Sequence, residues 1–419
     1  MTIVNEWPIQ SLEEFKTGSQ FPPQRENSRY SRFIRYERLV NRQFSGLVAE
    51  NTNEEASQLR FNVSQSGLRL QPNIFRFLLN FWKDAIISDA PTITYRNGGR
   101  QQELIDLLHP TLVKASESLV TDLIKFGCGV FTNFNDKSIQ SVSPLYWFPV
   151  RPGYDLDKVL GDIIAIPWSS NPNGTLDKLN VSYWNENEYK EIRYSLEGIK
   201  IGAIDEEVIS SSLPLNPVVS VVNGDSFFGQ SDFEDILEYV AELHRRETAI
   251  SESLDKQANP HLQLPSTALS VNADGTASVD IQGMVIPVEP GDPDAKYLVW
   301  DASFESQEEA IKRAEDRIYQ FTQVSPILLR RESNVSSVIS GTALRRLAIP
   351  TVNKIRNIRA LLDDAYRDCI LIQASNFEEV IEINKDDIEI EWPAELSGGI
   401  LEEEEVASGQ QNSNATESN

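Results

Sequence analysis

The side chains best suited to chemistry are few in this chain and scattered along it. Its three histidines, His109, His244 and His261, lack the spacing of a metal site such as HExxH and read as structural or surface groups. Cys128 and Cys369 are the only cysteines, which indicates no disulfide framework and suits a reducing interior. No histidine or other base lies near Cys128 in sequence, so it reads as a small buried hydrophobe. A GxxxxGK[ST] phosphate loop and a GxSxG elbow are both missing. Gly127-Cys128-Gly129 is too short for a dinucleotide fingerprint and reads as a close approach of helix and strand. The acids Asp386-Asp387 and Glu402 to Glu405 lack calcium-loop spacing and read as solvated charge. The sequence therefore presents no catalytic residue, no metal ligand set and no cofactor motif.

Charge is the stronger signal. The formal net charge is −25 and the pI about 4.6, so the chain as a whole should not coat DNA or anionic membranes. Two zones run against this balance. Six arginines lie between Arg25 and Arg42, and seven arginines with Lys354 lie between Ser325 and Arg367. Either zone could meet phosphate or pair with the protein's own acids. No apolar run approaches the ~20 residues of a membrane helix, and the N-terminus has no basic-then-apolar leader.

The elements that must carry these charges fall into an order. Residues 1–24 read as a polar, proline-bearing arm or surface segment. Apolar residues at helical spacing predict helices over Arg25–Leu47, Gln71–Ile87 and Gln102–Phe126. Pro72 suits a first helical turn, Pro110 is a possible break, and Gly127 is a left-handed cap. From Gly129 to about Ile201 the period falls to two, with strands at Ile139–Val142, Asp162–Trp168, Leu179–Trp184 and Tyr189–Tyr194. Leu215–Asn223 adds a buried strand.

Two helices with narrow apolar stripes follow. The first, from Ser231 to Gln257, opens on a capping box with Glu234 and stacks Ile236, Val240 and Leu243. The second, from Ser303 to Gln323, stacks Ile311, Ile318 and Phe321. Between them, Pro260–Asp301 is proline-rich, with a hairpin around Asn272-Ala-Asp-Gly275 and few large apolar residues. A thin polar helix pair tipped by a small β cap is weak alone, so side-by-side packing of copies is expected.

An aperiodic stretch from Val324 to Ile339 then enters a long basic helix capped by Ser340, which should bend or break at Pro350. Ile381, Ile383, Ile388 and Ile390 suggest two short closing strands. Leu401–Asn419 reads as a disordered acidic tail.

This order of elements resembles the portal proteins of tailed double-stranded DNA bacteriophages. Matching stretches are Asn73–Pro91, Ala115–Val130, Pro217–Ile236, Ser340–Leu344 with the basic run after Pro350, and Ile388–Pro393, over roughly Arg25–Pro393. The resemblance implies an α+β subunit with portal architecture. Its parts would be an N-terminal arm (1–24), an α/β wing (25–230), a first stem helix (231–257), a β-rich clip (258–302) and a second stem helix (303–323). A tunnel loop (324–339), a kinked wing helix with closing strands (340–396) and a disordered acidic tail (397–419) would follow, with the crown reduced or absent.

The resemblance further implies a homo-oligomeric ring, usually a dodecamer, at one capsid vertex of the virion, assembled in the host cytoplasm. Double-stranded DNA would pass through its channel. The partners implied are the terminase large subunit, head–tail adaptor or neck proteins and the major capsid protein, with no membrane. Arg330 and Arg331 become candidates for transient DNA contact, and Ile236, Val240, Leu243, Ile311, Ile318 and Phe321 for stem packing. Pro350 becomes the helix kink, and the arginines after it are expected to meet acids of adjacent subunits. The competing expectations are a metal-dependent nucleic-acid enzyme built on acids such as Asp232, Asp235 and Glu238, and a minor head or scaffold protein without a channel.

Overall fold

In the computed structural model the described residues are 8–43, 71–133, 138–152, 158–170, 174–185, 188–211, 214–258, 261–263, 269–271, 277–279, 296–298, 305–329, 341–377 and 381–393. They form two compact units. The first draws on the described parts of Met1–Asn51, Asn73–Leu237 and Tyr319–Asn419, and the second on those of Thr52–Pro72 and Glu238–Ile318.

The first unit begins with a strap. Residues 8–24 are not a loose surface segment: Ile9, Phe15 and Phe21 are buried in the main sheet's core. Helix α1 (Asn27–Val40) and helix α2 (Ile74–Ile87) follow. Asn73 caps α2 by accepting from the Arg76 amide at 3.0 Å, so the helix starts one residue after the asparagine, and Pro72 precedes the cap. Strand β1 (Thr92–Tyr95) leads to helix α3 (Arg100–Phe126).

Helix α3 runs unbroken through Pro110. Leu104, Ile105, Leu108, Leu112, Leu119 and Leu123 are buried on both sides of the proline. At ~1.5–3 kcal/mol each, their burial exceeds the ~3 kcal/mol cost of an interior proline.

Strands β2 (Cys128–Asn133) and β3 (Ile139–Val142) come next, the latter as predicted to the residue. β4 (Trp147–Val150), β5 (Gly161–Trp168), β6 (Lys178–Trp184), β7 (Glu188–Glu197) and β8 (Lys200–Ser211) make a five-stranded antiparallel meander in chain order. The strap crosses this sheet and bonds to both edges. Ile9 bridges Val150 on β4, and the amides of Gly18 and Phe21 donate to the carbonyls of Ile201 and Ile199 at 2.7 Å. Phe15 meets Phe148 edge-on at 5.2 Å. Strand β9 (Val218–Val222) returns to β2, giving a second sheet of order β3-β2-β9.

In the second unit, helix α4 (Leu237–Ala258) leads to β10 (His261–Gln263), β11 (Leu269–Val271), β12 (Ala277–Val279) and β13 (Lys296–Leu298). β11 pairs with β12 across residues 272–276, the predicted hairpin, and β10 pairs with β13. Helix α5 (Glu305–Phe321) closes the excursion.

The chain then completes the first unit. A single helical turn, α6 (Pro326–Leu329), occupies part of the stretch read as aperiodic. Helix α7 (Gly341–Phe377) runs without a break through Pro350 and seven residues past Ile370. Ile355, Ile358, Leu362, Tyr366 and Cys369 form its buried stripe, and the Tyr366 hydroxyl donates to Ser116 Oγ at 2.7 Å. Strand β14 (Ile388–Glu391) pairs antiparallel with β1, Thr92 opposite Glu391. Residues 381–384 are not a strand, so one closing strand stands where two were expected; a 3-10 turn over Lys385–Asp387 takes up the chain before it.

Candidate functional site

The features that bear on function sit on α4 and α5. These helices face each other within the second unit, where Arg246 Nη1 donates to Gln307 Oε1 at 2.8 Å. A cleft of about 220 Å³ lies between them, lined by Tyr239, Glu242, Arg246, Ala310, Arg313, Ala314 and Arg317. Ala310 and Ala314, one turn apart on α5, leave the space that larger residues would fill. Glu242 is the cleft's lone carboxylate among these residues. It accepts from Arg245 at 2.8 and 2.7 Å and from Arg246 Nε at 2.5 Å. The Arg245 bonds, seconded by Arg246 and against partial burial, hold its carboxyl below the usual range. On α5, Arg313 reaches back to Glu309 at 2.9 Å with both side chains about 70% exposed, a weakly held pair. His244 is buried on α4 with Nε2 2.9 Å from the Pro72 carbonyl, and burial lowers its pKa.

The residues expected to pack a stem divide into two sets. Ile236, Val240, Leu243 and Ile318 are buried within the single chain and belong to its own core. Ile311 is half-buried and Phe321 is 46% exposed, which leaves apolar surface on one side of α5. Arg330 and Arg331 lie outside the described residues, as do Ser340, Asn272 to Gly275 and the acidic tail. Pro350 sits inside a continuous helix.

The basic face read on α7 turns out to serve the chain itself. Lys354 is buried against the Asp232 carboxylate, lies 4.5 Å over the Trp82 ring and donates to the Thr322 carbonyl at 3.3 Å. Burial pushes the Asp232 carboxyl above its ordinary value while Lys354 opposes the shift. Beside this node, Thr351 Oγ1 accepts from the Ser325 amide at 2.9 Å and donates to the Gln323 carbonyl at 2.7 Å. Arg359 is also buried. It donates to the carbonyls of Ile86 and Pro393 at 3.2 and 2.8 Å and stacks 4.8 Å from Trp392. Arg367 donates to the Ile388 carbonyl and pairs with Asp364. The expectation that the arginines after Pro350 reach acids of adjacent subunits is corrected for Arg359, which is buried with donors on carbonyls of its own chain.

In the first basic zone Arg29 behaves alike, whereas Arg25, Arg38 and Arg42 are exposed. Arg29 is fully buried, with its guanidinium 4.6 to 5.1 Å from the rings of Phe33, Phe148 and Phe228. It donates to Glu26 at 2.5 Å and to the carbonyls of Pro144 and Trp147 at 2.8 and 2.9 Å. Lys125 bonds Glu37 at 2.7 Å and Asp122 at 3.2 Å, and burial pushes Asp122 up to about 6.

Sequence reading missed the cleft. Arg313 and Arg317 stand at i, i+4 spacing, the available signal for one charged face. Which face of α4 they meet depends on the rotation of both helices, which spacing alone leaves open. The glycine reading holds at Gly127: its φ is +89°, and a Cβ there would lie 2.5 Å from the Gln230 amide nitrogen. Cys128 is buried on β2, as expected of a small hydrophobe. Among the described residues no three of His, Cys, Asp and Glu gather to hold a metal ion, and no helix is long and apolar enough to cross a membrane.

No protein-family model matches this sequence, and no curated protein matches it. Among solved structures, the chain is similar to one in the virion of a native gene transfer agent particle, with a TM-score of 0.48 and 12% identity, covering 88% of this chain and 91% of that one. It is also similar to a chain in the neck of an empty gene transfer agent particle computed with C6 symmetry, with a TM-score of 0.45, 13% identity and the same coverage.

Proposed function

We propose that this protein is a portal subunit: one copy of a ring through which double-stranded DNA enters and leaves a phage-like capsid. The observation that carries the reading is the excursion of the second unit. A 22-residue helix is followed in the chain by two small β ladders and then a 17-residue helix. Both helices are polar along most of their length, and the insert between them has few large apolar residues. Such a hairpin gains its stability by lining up with copies of itself.

In this reading α4 and α5 are the stem and the ladders are the clip that meets the terminase and later the adaptor proteins. Residues 324–339 are the tunnel loop, with Arg330 and Arg331 touching DNA phosphates in passing. An acidic wall with few loop-borne cations lets DNA slide, because each phosphate contact adds salt-sensitive grip. The buried pairing of Asp232 with Lys354 removes one acid from the metal-dependent nuclease alternative.

Negative-stain microscopy of the purified full chain tests the proposal. Rings of about a dozen copies with a central hole are expected, since stem helices of this kind close head-to-tail contacts into a cycle. A monodisperse monomer at every concentration and salt tried would overturn it. Within the ring reading, Ile311→Asp is expected to abolish assembly, and the pair Arg330→Ala with Arg331→Ala to leave rings intact while impairing DNA retention.

A further inference from the structure

The cleft between α4 and α5 has a composition that the ring reading leaves unexplained. In a chain of net charge −25, seven residues enclose a space with three arginines and one glutamate. Arg246 spends two of its five N–H donors, on Glu242 and Gln307. Arg313 spends one, on the exposed Glu309. Tyr239 adds a phenol and the two alanines keep the floor open. Such a space suits a planar oxyanion held by guanidinium forks.

The back of α5 carries that chemistry. At about 100° per residue, Glu308 lies roughly 170° around the helix from the cleft-lining residues, and Glu305 roughly 130°. Both are exposed. A cationic front and an anionic back on one helix form a head-to-tail pair of surfaces, which generates a closed ring or a filament rather than a dimer.

We propose that this cleft is a carboxylate-binding site occupied by Glu305 and Glu308 of the neighbouring copy. The proposal rests on the ring reading and deepens it by naming the contact that sets the stem's handed, head-to-tail register. Charge complementarity selects the occupant: the same helix supplies both signs, so each copy donates one carboxylate face and receives another.

A charge exchange tests it. One full-length variant carries Arg313→Glu and Arg317→Glu, and a second carries Glu305→Lys and Glu308→Lys. Both sets change exposed or half-exposed helix positions, and folding is checked by circular dichroism and the unfolding midpoint. Alone, each variant meets like charge at every junction, and the concentration for half-assembly is expected to rise roughly tenfold or more. Mixed one to one, the glutamate cleft of the first receives the lysine back of the second, and the native cleft of the second receives the native back of the first. Alternating rings should return, read by native mass spectrometry as equal numbers of each variant. A variant that merely misfolds is not rescued by mixing, so restoration separates the two causes.

Normal assembly of both variants alone would overturn the cleft contact while leaving the ring intact as a reading. Loss of assembly in each variant without restoration on mixing would overturn it too. Loss of duplex DNA binding in the first variant with assembly unchanged would assign the cleft to phosphate instead, against the proposal. A wild-type protein that never assembles would remove the ring reading and this inference together.

Discussion

Among the described residues the buried cations lie in the first unit, beside exposed ones such as Arg96 and Arg193. In the first unit Arg29, Lys125, Lys354 and Arg359 are buried or nearly so, and each is satisfied by carbonyls, carboxylates or rings of the same chain. In the second, Arg245, Arg246 and Arg313 remain half or largely exposed, in pairs made mostly within their own helix. Burial makes an ion pair costly to break, because the survivor is stranded in a poorly solvating medium, whereas exposed pairs contribute little. Buried charge in the first unit therefore specifies the fold. Charge in the second is left to specify something outside the single chain.

The sharpest way to break this contrast is Lys354→Met. It strands Asp232 and is expected to cost about 3–5 kcal/mol by urea unfolding, with part recovered in the double variant Asp232→Asn, Lys354→Met. A loss under about 1 kcal/mol would show that the node is dispensable and that inward charge does not hold the first unit. The next effect is on pH dependence. Asp122 holds its proton up to about 6 in the folded chain but releases it near 3.8 when unfolded. The folded state thus binds more protons over that interval, and stability falls as pH rises through it, by up to about 3 kcal/mol. Asp122→Asn should flatten that slope; an unchanged profile would place the titration elsewhere.

A smaller effect is expected for Tyr366→Phe, about 1 kcal/mol, since Ser116 keeps its bond to the Leu112 carbonyl. The smallest belongs to the second unit. Arg313→Gln should change the unfolding free energy of dissociated protein by under about 0.5 kcal/mol. A loss comparable to that of Lys354→Met would erase the distinction between the units.

The same contrast explains what was legible in the residues themselves. Strand Ile139–Val142, the Gly127 cap and the hairpin about residues 272–276 rest on local rules, and they stand where spacing and turn chemistry put them. The strap was not legible, because Ile9, Phe15 and Phe21 lie six residues apart and fit no period; only the sheet they cross gives them a common face. Strand β8 carries Asp205-Glu206-Glu207 in its middle and has exposed residues on both faces from Ala203 to Ile209. It is a strand because β7 pairs with it, through contacts such as Arg193 with Glu206 at 2.6 Å. At Pro110 the helix rules assign a penalty, while the packing that absorbs it comes from elsewhere in the chain. Of the candidate site, the two helices and the insert were readable, and the cleft was not, since Tyr239, Glu242 and Arg246 on one wall lie more than sixty residues before Ala310, Arg313, Ala314 and Arg317 on the other.

The ladder joining β1 to β14 sets a clock on biosynthesis. Thr92 waits for Glu391, roughly 300 residues later, which at 5–20 residues per second is about 15 to 60 s of translation. The meander β4 to β8 needs only neighbours and can close within that time. The β1 edge stays open until Ile388–Glu391 has been made, and a nascent chain bound by a strand-capping chaperone should carry it there.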